Sequence, residues 1–188
     1  MNAKEKIIGL MERKAQKIKE LTGFDFYFLE EDKKDILNWG DEISQLVWRT
    51  IEENVQYRNA SGLTCEVCPF CVYYEYVFGD LGLESKCEKC SYGFRHGCCY
   101  HSDSDYQKIM EKKFYIKTMT NEWYKRIIKE IEQEAEEKKY QKAMKKAIDR
   151  NFWENWAKEA GEEFKKLKRE REKVIDIPPV ARRDKLNA

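Results

Sequence analysis

Four cysteines stand in two pairs, Cys68-Pro69-Phe70-Cys71 and Cys87-Glu88-Lys89-Cys90, with 15 residues between the pairs. Two residues between thiols let a tight turn aim both sulfurs at one ion, and the amides of that turn can hydrogen-bond to the thiolates. Two such pairs complete a tetrahedral shell, so the spacing predicts a structural Zn2+ held by Cys68, Cys71, Cys87 and Cys90. Gly93, just after the second pair, suits a close turn. Three more thiols, Cys65, Cys98 and Cys99, and the two histidines, His96 and His101, crowd the same segment. They leave the register open. Cys65 and Cys68 could pair with Cys87 and Cys90 across 18 intervening residues, Cys98 or Cys99 could replace a ligand, and a second zinc could use a spare thiol with a histidine. Otherwise the spare cysteines are small buried hydrophobes, and the histidines surface or hydrogen-bonded residues.

The triplet Cys65, Cys68, Cys71 also has the C-x2-C-x2-C rhythm of iron–sulfur ligation, with a fourth thiol available from Cys87, Cys90, Cys98 or Cys99. A 4Fe–4S cluster is therefore the alternative cofactor. The ferredoxin run wants its next cysteine close behind the third and a proline after it, and Val72-Tyr73-Tyr74 stands in that place.

The order Cys68-Pro69-Phe70-Cys71-Val72-Tyr73-Tyr74, Cys87-Glu88-Lys89-Cys90, Gly97-Cys98 and Tyr106 resembles a five-cysteine pattern of small uncharacterised proteins from phages and their bacterial hosts. The resemblance covers about a quarter of the chain, roughly residues 65–106. It implies a cysteine-rich metal-binding module of mobile-element origin and no particular activity.

A catalytic zinc keeps three protein ligands and an open position, whereas four thiolates close the shell and weaken its Lewis acidity. The zinc-deaminase arrangement of H-x-E before P-C-x-x-C is not found, nor is a P-loop, G-x-G-x-x-G or G-x-S-x-G. The expectation is a non-catalytic protein.

Such a site needs elements to hold it. Residues 4–22 place Ile7, Met11, Ile18 and Leu21 near helical spacing, with Gly23 as a stop. Phe24 to Phe28 reads as a short strand or an extended plug that buries rings. From Asp35 to Arg58 the steps Ile36, Trp39, Ile43, Val47, Ile51, Val55 predict one amphipathic helix. Residues 59–102 hold five of the nine glycines and every cysteine, which predicts a loop-rich segment in need of a staple. Ser102 would cap a third helix running through Tyr106, Ile109, Met110 and Phe114. Thr120 or Asn121 opens a long helical region with a weak apolar face around residues 136–139, where a bend or turn is expected. Pro178 and Pro179 end it, ahead of a mobile Arg182-Arg183-Asp184-Lys185 tail. The expected architecture is mainly α, with a loop-rich, zinc-ribbon-like or knuckle-like zinc-binding insert between helices. Its segments are 1–60 helical, 61–102 metal-binding insert, 103–175 helical and 176–188 tail.

Charge distribution bears on partners. Residues 1–60 and 61–102 each sum to −2 and residues 103–188 to +5, which together make the formal +1. Any attraction to phosphate belongs to the last segment. There Lys138, Lys139, Lys142, Lys145, Lys146 and Arg150 recur at helical spacing, and Lys165, Lys166, Lys168, Arg169, Arg171 and Lys173 continue the theme. Nucleic acid or a nucleoprotein complex is the expected partner; the competing readings are an ordinary solvated helix face, or a protein partner for an accessory or inhibitor protein. Aromatics such as Trp153, Trp156, Tyr73, Tyr74 and Tyr76 could stack on bases, but core packing is the role expected for most of them. Hydrophobic residues at 41% can build a core, while charged residues at 38% predict a solvated surface. No run approaches the roughly 20 apolar residues of a membrane span, no signal-peptide core opens the chain, and an odd number of clustered cysteines argues against disulfides. A cytoplasmic, metal-binding protein is expected.

Overall fold

The structure, a computed structural model, describes residues 1–79, 87–112 and 118–175, with the side chains of 172–175 left aside. Phe114, the Lys173 side chain, and the tail with Pro178 and Pro179 lie outside the described residues, as do residues 80–86 between the cysteine pairs. The described residues are mainly helical and include no strand. No described helix is long and apolar enough to cross a membrane.

Helix α1 (Ala3–Thr22) opens on a capping box, in which the Asn2 side chain accepts from the Glu5 amide and Glu5 accepts from the Asn2 amide. It ends as expected at Gly23, whose φ of 78° is the left-handed cap conformation. Phe24 to Phe28 forms the plug rather than a strand: Phe24 stacks on Phe26, and Tyr27 is buried. The single helix expected over 35–58 is two, α2 (Glu30–Asn38) and α3 (Asp41–Tyr57). Both Trp39 and Gly40 are extended at the break, so Trp39 leaves the line of α3 and stacks on Tyr73 at 4.2 Å.

A 3-10 turn (Cys65–Val67) leads into α4 (Pro69–Val77), where Pro69 takes the first-turn position that needs no amide hydrogen. Two short helices follow, α5 (Ser91–His96) and α6 (Asp105–Met110). The cap of α6 is Ser104, not Ser102: its hydroxyl accepts from the Gln107 amide. The segment around the cysteines is thus more helical than its glycines suggest.

One apolar core joins these elements. Ile7, Leu10, Met11 and Ile18 of α1 meet Val47, Ile51 and Val55 of α3 and Phe70 of α4. Helix α7 (Asn121–Ile175) adds Tyr124, Ile127 and Ile131. Glu132 accepts from both Lys6 at 2.6 Å and the Trp48 indole at 2.8 Å, which fixes α7 against α1 and α3. Val67 and Phe70 are completely buried in this core, so the cysteine segment shares it rather than folding as a separate module.

Close packing divides the chain into Met1–Lys139 and Tyr140–Ala188. Helix α7 runs without interruption through residues 136–139, where a bend was expected. In the second unit every side chain from Tyr140 to Arg171 is exposed except Ala160.

Candidate metal centre

Five of the seven cysteines, Cys65, Cys68, Cys71, Cys87 and Cys99, line one cavity of about 420 Å³. Its walls are completed by apolar and aromatic groups, among them Tyr27, Leu63, Tyr92 and Met110. Among the described residues, no acidic, basic or histidine side chain lines it. The Cys68 and Cys71 thiols hydrogen-bond to each other, but among the described residues no group of three or more His, Cys, Asp or Glu converges closely enough to hold a single ion.

Local backbone explains how the thiols reach the cavity. Cys68 is the N-cap of α4 and Cys71 lies in its first turn. The amides of Phe70 and Cys71 donate to the Cys68 sulfur, as the tight-turn argument requires. A hydrogen bond from the Cys71 thiol, with the Lys14 ammonium nearby, lowers the Cys68 pKa, while the same pairing and burial raise that of Cys71. Cys87 accepts from the Cys99 amide, and Gln107 donates to the Cys99 carbonyl at 2.9 Å. Gly93 is required here, since a Cβ on it would stand 2.5 Å from the Cys87 carbonyl oxygen.

The two-pair zinc set is only partly brought together. Cys68, Cys71 and Cys87 face the cavity, but Cys90 is buried in the apolar core, where loss of water pushes its thiol up to about 12. Cys98 is also buried and lies off the cavity wall. His96 is not positioned as a ligand: its Nε2 faces Asp32 at 3.0 Å and its Nδ1 faces Asp105 at 3.1 Å, so both ring nitrogens are engaged. His101 is exposed in the turn before α6.

That histidine belongs to a buried polar network. Asp32, with no exposed surface, also accepts from Arg95 at 2.8 Å and from the Leu29 amide at 2.7 Å. Burial works to raise the Asp32 pKa, but the hydrogen bonds from His96, Leu29 and Arg95 outweigh it and hold the carboxyl below its ordinary value. Tyr92 stacks on His96 with ring centres 4.1 Å apart and donates to the Tyr27 carbonyl at 2.7 Å. The network thereby supports two rings of the cavity wall.

Lys14 was not singled out by the sequence. It is wholly buried, donates to the Val67 carbonyl at 2.9 Å, and lies 5.9 Å and 5.7 Å from the ring centres of Tyr27 and Tyr124. Burial pulls its pKa down to about 8, opposed by Cys68 and Cys71. Among the described residues no carboxylate pairs with it. Position 14 continues the buried face of Leu10 and Ile18, so a lysine on an apolar stripe was the available signal.

The basic residues are displayed as separate exposed groups. Lys138 and Lys139 end the first unit, while Lys142, Lys145, Lys146, Arg150, Lys165, Lys166, Lys168 and Arg169 belong to the second. Trp153 and Trp156, expected in a core, are 62% and 56% exposed, because no described element covers that part of α7. Tyr73 and Tyr74 do pack against the core, and Tyr76 is exposed.

No family model, no curated protein and no solved structure matches the chain.

Proposed function

We propose that this chain is a non-catalytic binding protein whose core is stapled by a cysteine-thiolate metal centre, and whose basic helix engages nucleic acid. The observation that carries the reading is the gathering of five cysteines around one cavity whose other described wall residues are uncharged. Thiolate is the soft ligand of zinc, copper(I) and iron–sulfur chemistry, and a sulfur-only set disfavours magnesium, calcium and manganese. Lys14 supports the same reading: a metal coordinated by several thiolates carries net negative charge, and this buried cation, which no described carboxylate pairs, stands beside Cys68 and Cys71.

The partner reading rests on the exposed lysines and arginines of α7 beside exposed Phe152, Trp153 and Trp156. Cations neutralise phosphates, and aromatic faces stack on unpaired bases without regard to sequence. The test has two arms. Elemental analysis of the purified chain should find bound metal that a chelator removes with loss of structure around the cysteines. Binding to mixed single-stranded DNA and RNA should weaken steeply as salt rises. Metal-free but fully folded protein removes the staple. Salt-insensitive or absent binding, together with a protein partner that survives nuclease treatment, replaces nucleic acid with a protein target.

A further inference from the structure

Resting on the reading of the cysteine cavity as a metal centre, we propose that the metal is a four-iron iron–sulfur cluster ligated by Cys68, Cys71, Cys87 and Cys99, rather than one zinc. Size is the first argument. A single zinc holds its four sulfurs about 2.3 Å from one point, which draws them into contact with each other. The cavity that these thiols line together with Tyr27, Leu63, Tyr92 and Met110 has a volume of about 420 Å³. At roughly 30 Å³ per water this is room for on the order of ten water molecules, far more than one ion occupies. A cluster of four irons and four sulfides has its own volume and takes each ligand sulfur on a different iron, so the Cys68 and Cys71 thiols, which hydrogen-bond to each other in this structure, would separate on binding it.

Ligand identity is the second argument. The two-pair zinc site needs Cys90, which is absent from the cavity wall and sits in the apolar core. The wall instead carries Cys99, brought in from the turn after α5 and held by the bond from Gln107 to its carbonyl. Cys65 completes the C-x2-C-x2-C triplet, but it is exposed, so it is a spare thiol at the rim. The third argument is the wall itself. Tyr27, Tyr92, Leu63 and Met110 give the wall apolar surface, and backbone amides donate to sulfur: those of Phe70 and Cys71 to Cys68, that of Cys99 to Cys87, and those of Tyr92 and Gly93 to Cys90. Burial and amide hydrogen bonds to sulfur are the means by which a protein sets the potential of such a cluster. Lys14, when protonated, adds positive charge near Cys68 and Cys71.

The experiment is anaerobic purification of the full chain with assay of iron, acid-labile sulfide and zinc, alongside the visible absorption spectrum. Expected are a brown protein and about four irons and four sulfides per chain. Cys99→Ser and Cys71→Ser should lose most of that iron, while Cys90→Ala should keep it; circular dichroism identifies any variant that has unfolded, and the wild-type metal content stands without the variants. A colourless protein with one zinc, lost in Cys90→Ala and kept in Cys99→Ser, overturns the cluster and leaves the metal centre intact. Iron without sulfide likewise overturns the cluster. A folded chain with no metal overturns both readings.

Discussion

The Lys14 ammonium donates to the Val67 carbonyl at 2.9 Å in a position with no exposed surface, which ties helix α1 to the turn that delivers Cys68. A buried charge costs several kcal/mol unless it is paired, and the groups that favour the charged form of this one are the thiols of Cys68 and Cys71. Lys14→Met keeps the length of the side chain and removes the charge. In metal-free protein the Cys68 pKa should then rise, so that alkylation of Cys68, read by mass spectrometry at neutral pH, slows. The uncapped Val67 carbonyl should offset any gain from removing the buried charge by about 1–3 kcal/mol.

Asp32 gives the pH dependence its sign. Its carboxyl titrates below the ordinary value when folded, so it contributes stability that is present above that ordinary range, about pH 4, and lost as pH falls through the folded value. Asp32→Asn should destabilise the protein at neutral pH by about 3–5 kcal/mol, because Arg95 and His96 lose a buried partner. The gap between variant and parent should shrink as pH falls from neutral through that lowered folded value. Urea unfolding of both proteins across that pH range checks it.

Gly93→Ala tests the turn that positions Cys87. The added Cβ would meet the Cys87 carbonyl oxygen at 2.5 Å, and backbone must move to relieve it. A loss of about 1–3 kcal/mol is expected, with weaker metal retention against a competing chelator. Gly161→Ala, where nothing lies within 4 Å, should be neutral or slightly stabilising in the same assays.

Phe70 is completely buried beneath Trp39 and Tyr92, and it stands between the two thiols of α4. Phe70→Ala should cost about 3–5 kcal/mol by thermal or chemical unfolding. Metal content should fall with it, because the cysteines and the core are held by one helix.

Replacing Lys142, Lys145 or Lys146 with alanine should weaken nucleic-acid binding uniformly across sequences and reduce the slope of log affinity against log salt by about 1 for each phosphate contact removed. Since all three side chains are exposed, melting temperature should be unchanged. Trp153→Ala and Trp156→Ala should each weaken single-strand binding by about 1–3 kcal/mol with little change in that slope.

Local patterns determined much of this protein. Helical spacing of Ile7, Met11 and Ile18 with Gly23 behind them specifies α1 and its end, because apolar periodicity and a left-handed cap are properties of a few adjacent residues. The thiol pairs marked the region of the site for the same reason. Tertiary structure decided the rest. Whether the periodic run through Trp39 breaks depended on Tyr73, a residue over thirty positions away whose ring Trp39 covers. Which cysteines face the cavity depended on how α4, α5 and the turn after it pack on the shared core: Cys99 is turned to the wall and Cys90 into the apolar interior, although their spacing motifs suggest the reverse. His96 is likewise assigned by two distant or semi-distant carboxylates, Asp32 and Asp105, and Lys14 by the thiols it meets across the fold. Spacing along a chain limits which sulfurs can reach one another, but direction into or away from a cavity is set by long-range packing, which no short window of sequence contains.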